Sequence, residues 1–240
     1  RPYLQRSLVP NLLEAARKNQ PNEKVLALFE ISRVFLEEEQ QPYNLALVYS
    51  VKGDDVPFFG AKTMVVGLLK SLGFDCACIT AKRIEPWSHP ARRAQIVVGG
   101  RAIGTVAEIA PRIGIAFGFD RRVAVAEIDL SLLVEQPRAG KRYRSVPVYP
   151  SVSRDVAFTV PCEIPWGDIE KRVRICSPLL ESIELFDVYR GHGIEEGEKS
   201  MAVHLTLRAS DRTLDAHDAD EAVKSIARLL EKEFCAIMRV

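Results

Sequence analysis

The chain has 240 residues, 47% of them hydrophobic, with 33 Lys and Arg against 32 Asp and Glu for a formal net charge of +1. That length and apolar content suffice for one or two buried cores, and the absence of long single-sign tracts argues against nonspecific polyanion binding. No run of about eighteen apolar residues is present, which excludes a membrane-spanning helix, and no signal-peptide pattern opens the chain.

In chain order, the first predicted elements lie in a segment of mixed strand and helix signals. A helix is expected to begin at Phe58 and Phe59 and to end at Leu72 and Gly73. Its Phe58, Phe59, Met64, Leu68 and Leu69 form either a core stripe or a partner-facing surface. Residues 95–98 and 102–106 alternate in polarity around Gly99 and Gly100, the pattern of two strands joined by a tight hairpin turn. Cys76 and Cys78 are too closely spaced for the usual zinc pair and have no second ligand pair downstream, so no metal is expected. All five cysteines read as free thiols.

Residues 137–144 hold Pro, Gly and four basic side chains without apolar periodicity and read as a basic linker. The domains on either side are therefore 1–136 and 145–240.

The second domain has a clearer pattern. Val156, Phe158 and Val160 alternate with Asp155, Ala157 and Thr159, the period of two of a half-buried strand. Pro165, Trp166, Ile169 and Val173 open and line a short helix. Residues 182–189 form a second strand, with Phe186 and Val188 on one face and Asp187 and Tyr189 on the other. A polar loop over 190–198 leads to a third strand. There Met201, Val203, Leu205 and Leu207 face away from Ser200, His204, Thr206 and Arg208. A helix over 218–234 and a last strand over 236–240 complete the order β-α-β-β-α-β.

That order is the split βαβ, ferredoxin-like arrangement, in which two helices cover one face of a four-stranded antiparallel sheet. The other face is open and collects Asp187, Tyr189, Ser200, His204 and Thr206. It is either an ordinary solvated surface or a binding surface.

Sequence resemblance bears on that choice. The runs YPSVSRDVAF over 149–158, PLLESIELFDVYRG over 178–191, Lys199 with Ser200, and RASDRTL over 208–214 resemble the ferredoxin-fold anticodon-binding domain that closes the β subunit of bacterial phenylalanyl-tRNA synthetases. Upstream, RSLVPNLL over 6–13, LFEISRVF over 28–35, Phe58-Phe59, and His89-Pro90 ahead of the Gly99-Gly100 hairpin resemble the catalytic-like module preceding that domain. The resemblance spans nearly the whole chain and enters the module partway, so the chain reads as part of a longer protein. It departs from the family at Pro57, at 60–63, at Ala91 and at Ala110 before Pro111.

The resemblance implies an α+β fold, a class II synthetase-like antiparallel sheet module followed by the ferredoxin-like domain. It implies tRNA for phenylalanine as partner, bound at its anticodon loop through Asp187, Tyr189 and Ser200, with Arg212 and Arg154 as further candidates. A cytoplasmic setting and an α subunit in an α2β2 assembly are also implied. ATP and magnesium would serve the full enzyme and no cofactor this chain, because the Phe-Arg-x-Glu and Gly-Glu-Arg patterns that hold ATP in class II enzymes are absent. No catalytic residue is expected either: His89, His192, His204 and His217 are scattered and join no nucleophile or base. The alternative is a free-standing ferredoxin-like regulatory module binding a small molecule.

The residue chemistry agrees with base reading. Residues 145–240 carry 12 basic and 17 acidic side chains, so summed phosphate attraction cannot supply RNA affinity there. Splayed loop bases are read instead by stacking and by hydrogen bonds to their edges. Tyr189 offers a ring, Asp187 a carboxylate for the N1–H and N2–H donors of guanine, and Ser200 a hydroxyl. Tyr189 is otherwise a hairpin-packing aromatic, Arg212 a tie for its loop, and Arg154 one half of a structural ion pair.

Overall fold

The computed structural model describes residues 4–36, 40–53, 55–81, 85–138 and 146–239. The chain divides into two compact units, Arg1–Arg142 and Tyr143–Val240. Most of the basic linker expected at 137–144 lies outside the described residues.

The first unit is built on a six-stranded sheet of order β1-β2-β6-β5-β4-β3 in which every pairing is antiparallel. Its strands are β1 (Val25–Arg33), β2 (Tyr43–Val51), β3 (Cys76–Thr80), β4 (Ser88–Val98), β5 (Arg101–Ile109) and β6 (Val123–Asp129). The central strand β6 reads as a continuous apolar run because both of its faces are covered. Ala124, Ala126 and Ile128 join the core under α2 (Pro57–Ser71), while Val123 and Val125 join the core under α1 (Val9–Asn19). Two short helices, α3 (Pro111–Phe117) and α4 (Leu130–Val134), flank β6 in sequence.

Helix α2 turns Phe58, Ala61, Val65 and Leu69 inward at helical spacing. The stripe expected on this helix is thus split. Phe58 and Leu69 are buried, whereas Phe59, Met64 and Leu68 are exposed. The β4–β5 turn places Gly99 at φ 58° and Gly100 at φ 80°, the two positive-φ positions that a tight hairpin assigns to glycine.

The second unit is β7 (Val152–Pro161), α5 (Trp166–Arg174), β8 (Leu180–Tyr189), β9 (Glu198–Leu207), α6 (Ala216–Phe234) and β10 (Ile237–Arg239). The sheet order is β10-β7-β9-β8, all antiparallel, as the split βαβ arrangement requires. Phe158, Val160, Met201, Val203 and Leu205 meet Ile169 and Val173 of α5 and Ile226 and Leu230 of α6 in one core.

Helix α6 begins two residues before its expected start. Asp215 is the N-cap: its carboxylate accepts from Asp218 N at 2.8 Å, while the Asp218 carboxylate accepts from Asp215 N at 3.4 Å. Asp218 is therefore the third helical residue of a capping box, with an acidic group in the first turn where the helix dipole favours it.

Candidate nucleic-acid interface

The register of the second sheet sets its open face out in rows, because directly paired residues project to the same side. Tyr189 pairs with Ser200, Ser200 with Thr159, and Thr159 with Ile237. The next row is Asp187, Ala202, Ala157 and Arg239, and the one beyond it is Glu184, His204 and Asp155. A last row holds Ser182, Thr206 and Ser153.

Strand β8 does not reach this arrangement by simple alternation. Leu185 pairs with Val203 and Asp187 with the adjacent Ala202, so Phe186 is an extra residue opposite the ladder, the mark of a β-bulge. Ile183 lies buried opposite Leu205. Strict alternation from Ile183 and Leu185 would carry Asp187 and Tyr189 to the helix side. The bulge resets the phase and brings both to the open face. The expectation that Phe186 and Val188 share a face is corrected accordingly: Val188 pairs with Met201 on the helix side, and Phe186 sits unpaired and 60% exposed.

The ends of Tyr189 differ in environment. Its hydroxyl donates to His192 O at 3.4 Å in the β8–β9 loop, while the residue as a whole stays 45% exposed. Gly191 makes this possible, since a Cβ there would stand 2.8 Å from the Tyr189 hydroxyl oxygen. Ser200 is largely buried beside the ring, and its Oγ accepts a long contact from Arg239 Nη1 at 3.5 Å. Next to it, buried Lys199 donates to Ile164 O at 2.5 Å and to Cys162 O at 3.2 Å. Desolvation, helped by the nearby Arg190 charge, holds the Lys199 ammonium below the usual lysine range.

Asp187, Tyr189 and Ser200 are thus brought together at one end of the open face. Arg154 and Arg212 are not brought to them. Arg154 pairs with Leu205, which turns it to the helix side, and its Nη2 lies 3.2 Å from Asp220 Oδ1 on α6. Arg212, in the loop before α6, donates from Nη2 to Asp218 Oδ1 at 2.7 Å. Arg208 bonds Glu181 at 2.8 Å and the carbonyl of Tyr149. Among the described residues Arg190, which follows Tyr189, makes no ion pair and stays exposed.

Sequence reasoning passed over Glu184 and Arg239 on this face. The period of two from Ser182 through Glu184, and from Ile237 to Arg239, was the available signal. The face carries Asp155, Glu184 and Asp187 against Arg239 and His204, so it is not a cationic surface. Its groups suit base edges better than phosphates.

The first unit holds one buried charge cluster. Glu108 on β5, almost fully buried, accepts from Arg92 Nε at 2.7 Å and from Arg122 Nε and Nη2 at 2.8 Å each. Burial alone would push this carboxyl up, but hydrogen bonds from Arg122 and Arg92, with their charges, outweigh it and hold it below the usual carboxylate range. His89 accepts at Nδ1 from the backbone N–H of Ala91 and Arg92. Desolvation and then the Arg92 charge push its pKa down. Among the described residues no group of three or more His, Cys, Asp or Glu side chains forms that could hold a metal ion, and no helix is long and apolar enough to cross a membrane.

Residues 1–130 match the family described as the phenylalanyl tRNA synthetase beta chain CLM domain, and residues 147–239 match the ferredoxin-fold anticodon binding domain. The phenylalanine–tRNA ligase beta subunit of Symbiobacterium thermophilum is 35% identical over 248 residues, covering 96% of this chain and 28% of that protein. That of Synechococcus sp. is 33% identical over 258 residues, covering 98% and 31%. That of Xanthomonas euvesicatoria is 39% identical over 158 residues, covering 65% and 19%. The chain spans less than a third of the length of these relatives. With both units matched in order, the chain belongs to the phenylalanyl-tRNA synthetase beta chain family.

Proposed function

We propose that this chain is the non-catalytic, anticodon-reading part of a phenylalanine-tRNA ligase β subunit. In this reading it supports the ATP-dependent attachment of phenylalanine to its tRNA by an α subunit, in a cytoplasmic α2β2 assembly. The observation that carries it is the convergence of Asp187, Tyr189 and Ser200 on one end of an open sheet face. The Tyr189 ring stacks on the first anticodon base, and the Asp187 carboxylate accepts from the N1–H and N2–H donors of guanine. The Ser200 hydroxyl completes the contact. Arg190, exposed and next to Tyr189 in sequence, supplies a positive charge for a phosphate. Arg154 and Arg212, tied to α6, serve the fold of the domain.

ATP and magnesium belong to the full enzyme in this reading. The α subunit is proposed to meet the first unit along β1, an edge strand of the sheet with Val25, Phe29 and Ile31 exposed. Co-purification with the α subunit checks this, and loss of the pair on Phe29→Asp is the expected result.

The test of the site is binding of the phenylalanine anticodon stem-loop to Tyr189→Ala. Loss of one stacked base should weaken it by about 1 to 3 kcal/mol, and a changed first base should weaken the parent chain in the same way. A folded Tyr189→Ala variant that binds unchanged would place the RNA elsewhere.

A further inference from the structure

We propose that His89, Arg92 and Arg122 form an oxyanion site on the first unit, one that takes a phosphate group, free or within a phosphodiester. The site lies in the first unit and does not depend on the anticodon reading proposed for the second.

An irregularity in one strand builds the site. Ser88 of β4 pairs with Ile109 of β5, and the next pairing joins Arg93 to Ala107, so residues 89–92 stand opposite Glu108 alone. A bulge takes side chains out of the ladder and re-aims them. Here the backbone turns onto its own side chain: the N–H groups of Ala91 and Arg92 donate to His89 Nδ1 at 3.0 and 3.2 Å. The Arg92 guanidinium is sent onto Glu108, where Arg122, just ahead of β6, joins it.

The cluster has more donors than acceptors. Burial and the Arg92 charge keep the His89 ring neutral, and with Nδ1 accepting, its single proton sits on Nε2. Yet the neighbour of Nε2, at 2.8 Å, is Arg92 Nη2, which can only donate. Two N–H groups therefore meet with no acceptor between them. Each guanidinium has five N–H donors and places two on Glu108, which leaves three on each without a protein oxygen among the described residues. Charge is unbalanced in the same sense, since two guanidiniums face one carboxylate. The Glu108 side chain is only 3% exposed, whereas those of Arg92 and Arg122 are 34% and 36% exposed and open to solute. An oxygen seated against Nε2 and Nη2 accepts from both, and an anionic one also offsets the surplus charge. Phosphate adds further oxygens, directed to the corners of a tetrahedron, for the remaining N–H groups of Arg92 and Arg122.

The test follows the amide NMR signals of Ala91 and Arg92 in the full 240-residue chain as inorganic phosphate replaces chloride at constant ionic strength, with a dinucleoside monophosphate as a second arm. Both signals should shift saturably, with a dissociation constant on the order of 1 mM. Saturation by inorganic phosphate alone assigns the site to a free phosphate, and saturation by the dinucleotide assigns it to a nucleic-acid backbone. His89→Asn separates binding from folding: the Asn carbonyl can stand in for Nδ1 as the acceptor within the turn, but no donor remains at the place of Nε2. That variant should melt with the parent and bind phosphate about tenfold more weakly, the effect of one hydrogen bond to a charged group. His89→Gln, whose amide N–H reaches toward the place of Nε2, should recover part of the loss. A parent chain that responds to neither phosphate nor the dinucleotide beyond its response to chloride overturns the inference. So does a folded His89→Asn that binds phosphate as tightly as the parent.

Discussion

Tyr189 stands directly opposite Ser200 across the β8–β9 ladder, and it does so because one residue, Phe186, is passed over in the register between Leu185 and Asp187. The bulge lets one strand keep Ile183 and Leu185 on the core while turning Asp187 and Tyr189 outward. A one-residue change of phase would move the whole set to the other face.

Deletion of Phe186 tests this geometry. Removing the extra residue leaves Leu185 followed by Asp187, which alternates without interruption and keeps every paired residue on its present face. Because Phe186 is mostly exposed, the deletion should cost less than about 1.5 kcal/mol. It should retain the sensitivity of stem-loop binding to Tyr189→Ala. Thermal unfolding and a stem-loop titration check both. Loss of binding in a folded deletion would mean that the local twist of the bulge, and not only its phase, sets the site.

Gly191→Ala probes the ring itself. The added methyl meets the Tyr189 hydroxyl oxygen at 2.8 Å and Cζ at 3.1 Å, so the ring must swing, and a flexible side chain does so at little cost to the fold. Gly191 also holds φ 157°, a conformation that L side chains rarely adopt, so stability should fall by about 1 to 3 kcal/mol, while stem-loop affinity in the folded variant should fall toward that of Tyr189→Ala. Equal affinity for parent and Gly191→Ala would show that the RNA does not use the ring in its present position.

Much of the second unit is legible in the chain because its signals are local. The alternation of Val156, Phe158 and Val160 and of Met201, Val203 and Leu205, and the helical spacing of Ala222, Ile226 and Leu230, each follow from one element burying one face. The bulge is less legible: a single inserted residue leaves only the adjacent pair Leu185 and Phe186 as its trace. Arg154 shares the phase of Val156 and Phe158, so its turn to the helix side was readable. Its partner Asp220, 66 residues away, depends on how α6 docks. The Glu108 cluster draws on β4, β5 and the segment before β6, and no spacing in the sequence announces it.

The ion pairs of Arg154 and Arg212 lead to a prediction about salt. A side chain that neutralises a phosphate reduces the slope of log affinity against log salt by about 0.7 to 1 when removed. Arg154→Ala and Arg212→Ala should leave that slope unchanged and lower stability by only about 0.2 to 1 kcal/mol each, as partly exposed pairs do. Arg190→Ala should reduce the slope. A reduced slope for Arg212→Ala would return it to the RNA contact set.

Acid should act on the first unit through Glu108. Its folded-state pKa lies below the ordinary carboxylate value of about 4.3, so the native state binds the proton less readily than the unfolded chain does. The resulting stabilisation is fully present above the ordinary value and is lost as pH falls through the depressed one. Glu108→Gln keeps the shape but leaves the Arg92 and Arg122 guanidiniums facing each other without the carboxylate. Because both can reach water, the cost should fall near the lower end for a broken buried pair, about 3 kcal/mol at neutral pH. The gap in melting temperature between parent and Glu108→Gln should be widest near neutrality and narrow below pH about 4. A gap that stays constant down to pH about 3 would mean that Glu108 contributes by packing and not by its charge.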